Sequence, residues 1–277
     1  MLNQIRIELY KMVRRTRSYL GFGWMILIVG LMAYGMRDGP GPNELMVGSV
    51  PRDFMLIGSI VNAEFLAYFV MRGAMLTFVP LFVCLVVGDL IAGESSDGTL
   101  RPLLVRPLSR AKVLMAKYAA AVIYTFALTM FLGLAALTVS RLFIGQGDLF
   151  AVEKGIAIFA RDEALARIAA AYALSALGML SVGTIAFFLS TMVGNSLAAL
   201  GGAMMTMYAL LIMASIPYFE DASRYFFTTH IVAMRREIFS MPIAWNEVAI
   251  SSAYLGAYVV VFFAAAMIVF TRKDVLS

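Results

Sequence analysis

The sequence predicts an all-α polytopic membrane protein with six transmembrane helices, a basic amphipathic helix ahead of them and one very short helix between the second span and the third. Three observations predict it. Hydrophobic residues make up 62% of the 277 residues and charged residues 14%, against roughly 45–50% and about 25% in soluble domains. The apolar residues gather into six runs, each near the ~20 residues that a helix needs to cross a hydrocarbon core of about 30 Å. The runs and their short connections take up residues 1–277, so a single transmembrane domain is expected and no soluble one.

The elements follow in order. Over residues 1–17, Leu2, Ile5, Leu9, Met12 and Val13 recur at helical spacing, while Arg6, Lys11, Arg14, Arg15 and Arg17 occupy the rest of the circumference. This is the pattern of a basic amphipathic helix lying among lipid headgroups. Spans are expected at about 18–36, 68–92, 110–142, 164–192, 195–217 and 247–271. The connection at about 218–246 is rich in aromatics, including Tyr218, Tyr225, Phe226, Phe227 and Trp245, with Arg235 and Arg236 among them. Such a composition supports an interfacial, aromatic-rich segment.

The stretch GESSDGTLRPLLVRPLSR, residues 93–110, lies between spans two and three. Asp97 or Thr99 can cap a helix beginning near Leu100. Pro102 falls in its first turn, where a missing N–H costs little, and Pro107 ends it. The spacing therefore predicts a helix over about 97–107, with Leu100, Leu103 and Leu104 on one face and Arg101 and Arg106 beside it. Helices below about 12–15 residues are marginal in water. This one needs a partner surface, or the membrane interface, to bury its leucines.

Charge sets the orientation. The amphipathic helix, residues 93–117 and the C-terminal tail carry Arg6, Lys11, Arg14, Arg15, Arg17, Arg101, Arg106, Arg110, Lys112, Lys117, Arg272 and Lys273 against Glu8, Asp89, Glu94, Asp97 and Asp274. The other connections are nearly balanced, so the positive-inside rule predicts both termini in the cytoplasm. The same rule accounts for a basic chain without nucleic acid as a partner.

Several chemistries are excluded. No phosphate-binding G-x-x-x-x-G-K-[ST] occurs, so ATP is not expected to bind here. Cys84 and His230 are the lone members of their types, which leaves no cysteine–histidine metal site and no cofactor. His230 is expected as a polar residue of an outer loop, and Arg72, near the outer end of span two, as a snorkelling side chain. Methionines such as Met115, Met179 and Met207 are scattered through apolar helix and act as flexible filler. Paired carboxylates or a Ser–His pair for hydrolysis are likewise missing, so the chain is not expected to be an enzyme.

Beyond these physical signals, the order apolar span, G-E-x-x-x-G-T-L, x-x-L-L, x-x-P-L-S-R, x-K-x-x-x-x-K resembles the cytoplasmic segment of ABC transporter type-2 permeases, the membrane subunits of bacterial ATP-driven exporters of the type V kind. Glu94, Gly98, Thr99, Leu100, Leu104, Pro107, Ser109, Arg110 and Lys117 carry the resemblance. It implies that the N-terminal helix is an elbow helix, that the outer connection at about 218–246 is re-entrant-like, and that the short helix is a coupling helix, docked into a groove on a separate ATPase subunit present in two copies. Glu94, Gly98, Thr99, Leu100, Arg101, Leu103, Leu104, Arg106 and Pro107 would then form the coupling site, with Asp89 as a candidate hinge. ATP and magnesium would be held by the partner, and the chain would sit in a bacterial inner membrane.

A second permease chain is also implied. Gly194, Ala198 and Gly202 recur every four residues, a small-residue face that is a candidate dimer seam or an intrachain contact. Two other readings stay open: a non-transporting subunit that transmits motion to an extracytoplasmic envelope partner, and a secondary carrier.

Overall fold

The computed structural model describes residues 1–37, 61–98, 109–153 and 155–272. Among the described residues, six helices are long and apolar enough to cross a membrane. They are α2 (Thr16–Arg37), α4 (Phe78–Ser96), α5 (Arg110–Phe143), α6 (Arg161–Met192), α7 (Ser196–Ala214) and α10 (Trp245–Arg272). Ahead of them lies α1 (Leu2–Arg14), and between them α3 (Ala63–Ala74), α8 (Glu220–Ser223) and α9 (Phe227–Ile238). At ~1.5 Å per residue the 34-residue α5 is about 51 Å long, so it reaches beyond a hydrocarbon core of about 30 Å.

The core is built around α4 and α6. Both are buried along most of their length, whereas α2, α7 and α10 keep broad exposed faces. Glycines set the closest approaches: a Cβ on Gly183 would come within 2.9 Å of Val83 Cγ1, and one on Gly178 within 2.8 Å of Ile231 Cγ1. Several threonine hydroxyls buried in the bundle turn back on their own helices. Thr125 and Thr129 of α5 donate to Ala121 O and Thr125 O at 2.9 and 2.8 Å, which satisfies them without water.

Three expectations need correction. The second span is broken rather than continuous: α3 ends at Ala74 and α4 begins at Phe78, with Pro80 in its first turn. Proline has no N–H to continue the ladder from the preceding turn, so a new helix starts there. The chain is not purely α-helical, since β1 (Leu149–Val152) and β2 (Ile156–Phe159) pair antiparallel with Leu149 opposite Phe159. His230 lies on α9, buried, rather than in a loop. Its ring stacks on Tyr254 with centroids 4.3 Å apart, Nε2 lies 3.0 Å from Arg224 O and Nδ1 3.3 Å from Ser251 Oγ.

The hairpin, α9 and the start of α3 gather at the end of the bundle away from α1. Asn62 caps α3 by accepting from Phe65 N–H at 2.9 Å and donates to Asp148 O at 2.7 Å. Arg167 of α6 donates to Ile238 O and Ser240 O at 2.6 and 3.0 Å, which closes the C-terminal end of α9. Its guanidinium also lies 4.2 Å over the Phe159 ring.

Candidate functional site

At the end of the bundle that carries α1, three elements converge: α1 itself, the last turns of α4 and the first turns of α5. Glu8 and Lys11 stand three apart on α1 and therefore share a face. Glu8 and Met12 are buried, while Leu2 and Val13 remain exposed. The face turned toward the protein is thus built on a carboxylate rather than on the apolar stripe alone. Arg15 turns the backbone extended after α1, and the Ser18 hydroxyl fixes the corner by donating to Met12 O at 2.7 Å.

Four charges close a ring there. Lys117 Nζ lies 3.0 Å from Glu8 Oε2 and 2.8 Å from Glu94 Oε2, and Lys11 Nζ lies 2.8 Å from Glu8 Oε1 and 3.1 Å from Glu94 Oε1. Each ammonium bridges both carboxylates, and each carboxylate bridges both ammoniums. Lys117 is 0% exposed and the Lys11 side chain 37%. Burial alone would lower the Lys11 ammonium, but Glu8 and Glu94 outweigh it and hold it above its ordinary value. Above the ring, Asp89 accepts from Arg15 and, at 2.8 Å, from Arg17.

The ring stands on both flanks of residues 99–108. Glu94 belongs to the last turn of α4, and the chain then turns out of the helix at Gly98, whose φ of +70° suits a residue without Cβ. The Gly98 N–H donates to Ser95 O at 3.2 Å. On the far flank Ser109 stands at the N-cap of α5 without a side-chain cap bond, and Arg110 donates to Thr271 O at 3.2 Å. Of the residues expected for coupling, Glu94 and Gly98 are described, as is the neighbouring Asp89. Thr99, Leu100, Arg101, Leu103, Leu104, Arg106 and Pro107 lie outside the described residues. Gly194 and Ala198 are exposed, whereas a Cβ on Gly202 would point at Leu189 of α6, 3.0 Å away.

The comparison with known families covers nearly the whole of this framework. A family model described as a protein of unknown function, DUF2705, matches residues 23–276. The chain belongs to the DUF2705 family. It is also 25% identical over 204 residues to the uncharacterized protein YhcI of Bacillus subtilis strain 168, an alignment that covers 71% of this chain and 64% of YhcI. The chain thus aligns with less than two thirds of that relative's length. In this DUF2705 protein, Glu94 and Lys117 fall inside the matched residues, and Glu8 and Lys11 precede them.

A second polar cluster of the DUF2705 chain holds its opposite end. Glu153, just after β1, accepts from the Tyr68 hydroxyl at 2.8 Å and lies 3.9 Å from both Arg72 Nη1 and Arg235 Nε. Arg72 also donates to Tyr68 Oη and Val152 O, each at 3.1 Å, so it fastens α3 to the hairpin instead of snorkelling. Arg235 of α9 is buried. Burial lowers its guanidinium, Glu153 offsets this in part and Arg72 adds to it, and the net position is below the ordinary value. Sequence reading did not single out Glu8, Glu153 or Arg167. The available signals were a lone carboxylate in a basic helix and single charges beside apolar runs.

Proposed function

We propose that this chain is the membrane-spanning permease subunit of an ATP-binding-cassette exporter, working with a separate ATPase and a second permease chain. In this reading the termini and residues 93–117 face the cytoplasm of a bacterial cell, α1 is the elbow helix, and residues 99–108 meet the ATPase. The observation that carries it is the charge ring. A connector that receives force from a partner needs stiff attachments on both sides, and Glu94 and Lys117 tie the two helices leaving residues 99–108 to each other and to α1. A buried ring of this kind resists being pulled apart, because separating one member strands a charge in a low-dielectric setting. Displacement of residues 99–108 would then move α1, α4 and α5 together. No substrate class follows from this reading alone.

The test is purification of the tagged chain with its nucleotide-binding partner. Leu103→Asp, which places a charge on the leucine face, is expected to release the ATPase, and Leu103→Ala to weaken it less, each buried leucine contributing about 1.5–3 kcal/mol. Glu94→Gln is expected to keep the partner and lose ATP-driven activity. Retention of the ATPase at wild-type level by Leu103→Asp overturns the docking assignment. For orientation, a cysteine at Ser96 is expected to resist an impermeant thiol reagent applied outside cells, and one at Ser223 to react.

A further inference from the structure

A cavity of about 520 Å³ opens between α2, α3 and the first turn of α4, in the half of the bundle that carries the hairpin. Its size falls within the ~300–1,000 Å³ of small-molecule sites. Ile28 and Met32 of α2 form one wall, and Phe65, Phe69 and Phe78 much of the other. Phe78 lies against Trp24, about midway along α2, with ring centroids 6.3 Å apart. The opposite end reaches Arg72 and Val152. The lining is therefore largely apolar, with one cation, Arg72, beside Val152 of the hairpin.

Among the described residues, the cluster beside the cavity holds two guanidiniums to one carboxylate. Arg72 and Arg235 share Glu153 at 3.9 Å each, and Glu153 also takes the Tyr68 hydroxyl. No carboxylate is among the described residues that line the cavity, and the Arg72 side chain is 44% exposed. A guanidinium in this position has donors to spare for an anionic oxygen. Apolar walls of this kind bury a hydrocarbon chain rather than a second polar group.

We propose that this cavity binds an anionic amphiphile, with its acyl chain lying between α2 and α3 and its carboxylate or phosphate on Arg72. The proposal goes beyond the exporter reading and does not rest on it, since binding is read on the chain without an ATPase.

Gly73 supplies the cleanest test. It lines the cavity, and a Cβ built on it would meet nothing within 4 Å, so Gly73→Leu fills the space without touching the contacts of Arg72. The full chain, purified in neutral detergent, is incubated with palmitic acid carrying a diazirine in its tail and then irradiated. Label is expected on peptides around Ile28–Met32 and Phe69, competed by palmitate but not by a quaternary ammonium of equal tail length. Gly73→Leu is expected to cut that label about tenfold, equivalent to ~1.4 kcal/mol of binding. Arg72→Gln is expected to make the anionic and cationic competitors equal. Competition by phosphatidylglycerol as well as palmitate supports a membrane lipid as the source, and competition by palmitate alone a free acid. The proposal is overturned if label follows the outer faces at Met205 and Val260 and is unchanged in Gly73→Leu, or if the cationic competitor matches palmitate on the wild-type chain.

Discussion

The two ends of the bundle solve the problem of buried charge differently. At the α1 end, two carboxylates and two ammoniums meet at 2.8–3.1 Å and cancel. At the hairpin end, two guanidiniums stand 3.9 Å from one carboxylate and do not. The first arrangement holds three helices together with short, reciprocal ion pairs. The second holds α3, the hairpin and α9 through longer contacts of 3.9 Å. Asp89, beside the ring, also takes two guanidiniums, Arg15 and Arg17, so the ends differ in the spacing and burial of their cations rather than in their number.

Breaking the clamp at its deepest member is expected to have the largest effect. Lys117→Met leaves Glu8 and Glu94 facing each other without a buried cation and should cost about 3–5 kcal/mol, read as a lower midpoint of thermal unfolding in detergent. Adding Glu94→Gln should recover part of that loss. At the hairpin end, Glu153→Gln should cost ~2 kcal/mol, since it weakens a hydrogen-bonded charge without stranding a fully buried one. Limited proteolysis between β1 and β2 should accelerate in that variant. Lys11→Ala sharpens the comparison, because Lys11 touches the same two carboxylates as Lys117. Its exposure screens the interaction, so the expected loss is about 0–1 kcal/mol. If Lys11→Ala and Lys117→Met prove equal, burial does not decide the strength of the ring.

The smallest expected effect is a pH dependence at the hairpin end. Burial lowers the His230 imidazole, partly opposed by its bond to Arg224 O. The unfolded chain, at about pH 6.5, therefore takes up a proton before the folded one does. Stability should be unaffected by this group above about pH 6.5 and should fall as pH drops from there toward the lower folded value. Melting curves across that window, compared with His230→Gln, should show a shallower acid loss in the variant.

Much of the bundle was legible because a membrane span is written in one variable, the length of an apolar run. All six runs correspond to long helices, and the amphipathic N-terminal helix is present. The break before Phe78 was hidden by the same variable, since hydropathy stays high across it although Gly73 and Pro80 were in view. The hairpin was missed because LFAV and IAIF are only four residues each and too short for periodicity to tell from a helix end. Glu94 and Asp89 stood out as charges at the foot of an apolar helix. The ring they anchor did not, because Lys11 and Glu94 are 83 residues apart, Glu8 and Lys117 109, and nothing local ties them. His230 looked solvent-exposed by residue type, and only Tyr254 stacking on it from another helix makes it a buried group.

That separation along the chain bears on how the protein is made. Glu8 and Lys11 leave the ribosome first, and Lys11 must wait 83 residues for Glu94. Lys117 is later still, after α4 has been threaded into the bilayer and α5 has begun. Until then Glu8 and Lys11, three residues apart on α1, have each other as partners. Docking of α1 is therefore a late event in biogenesis, and an α1 held in place reports that α4 and the first turns of α5 have arrived.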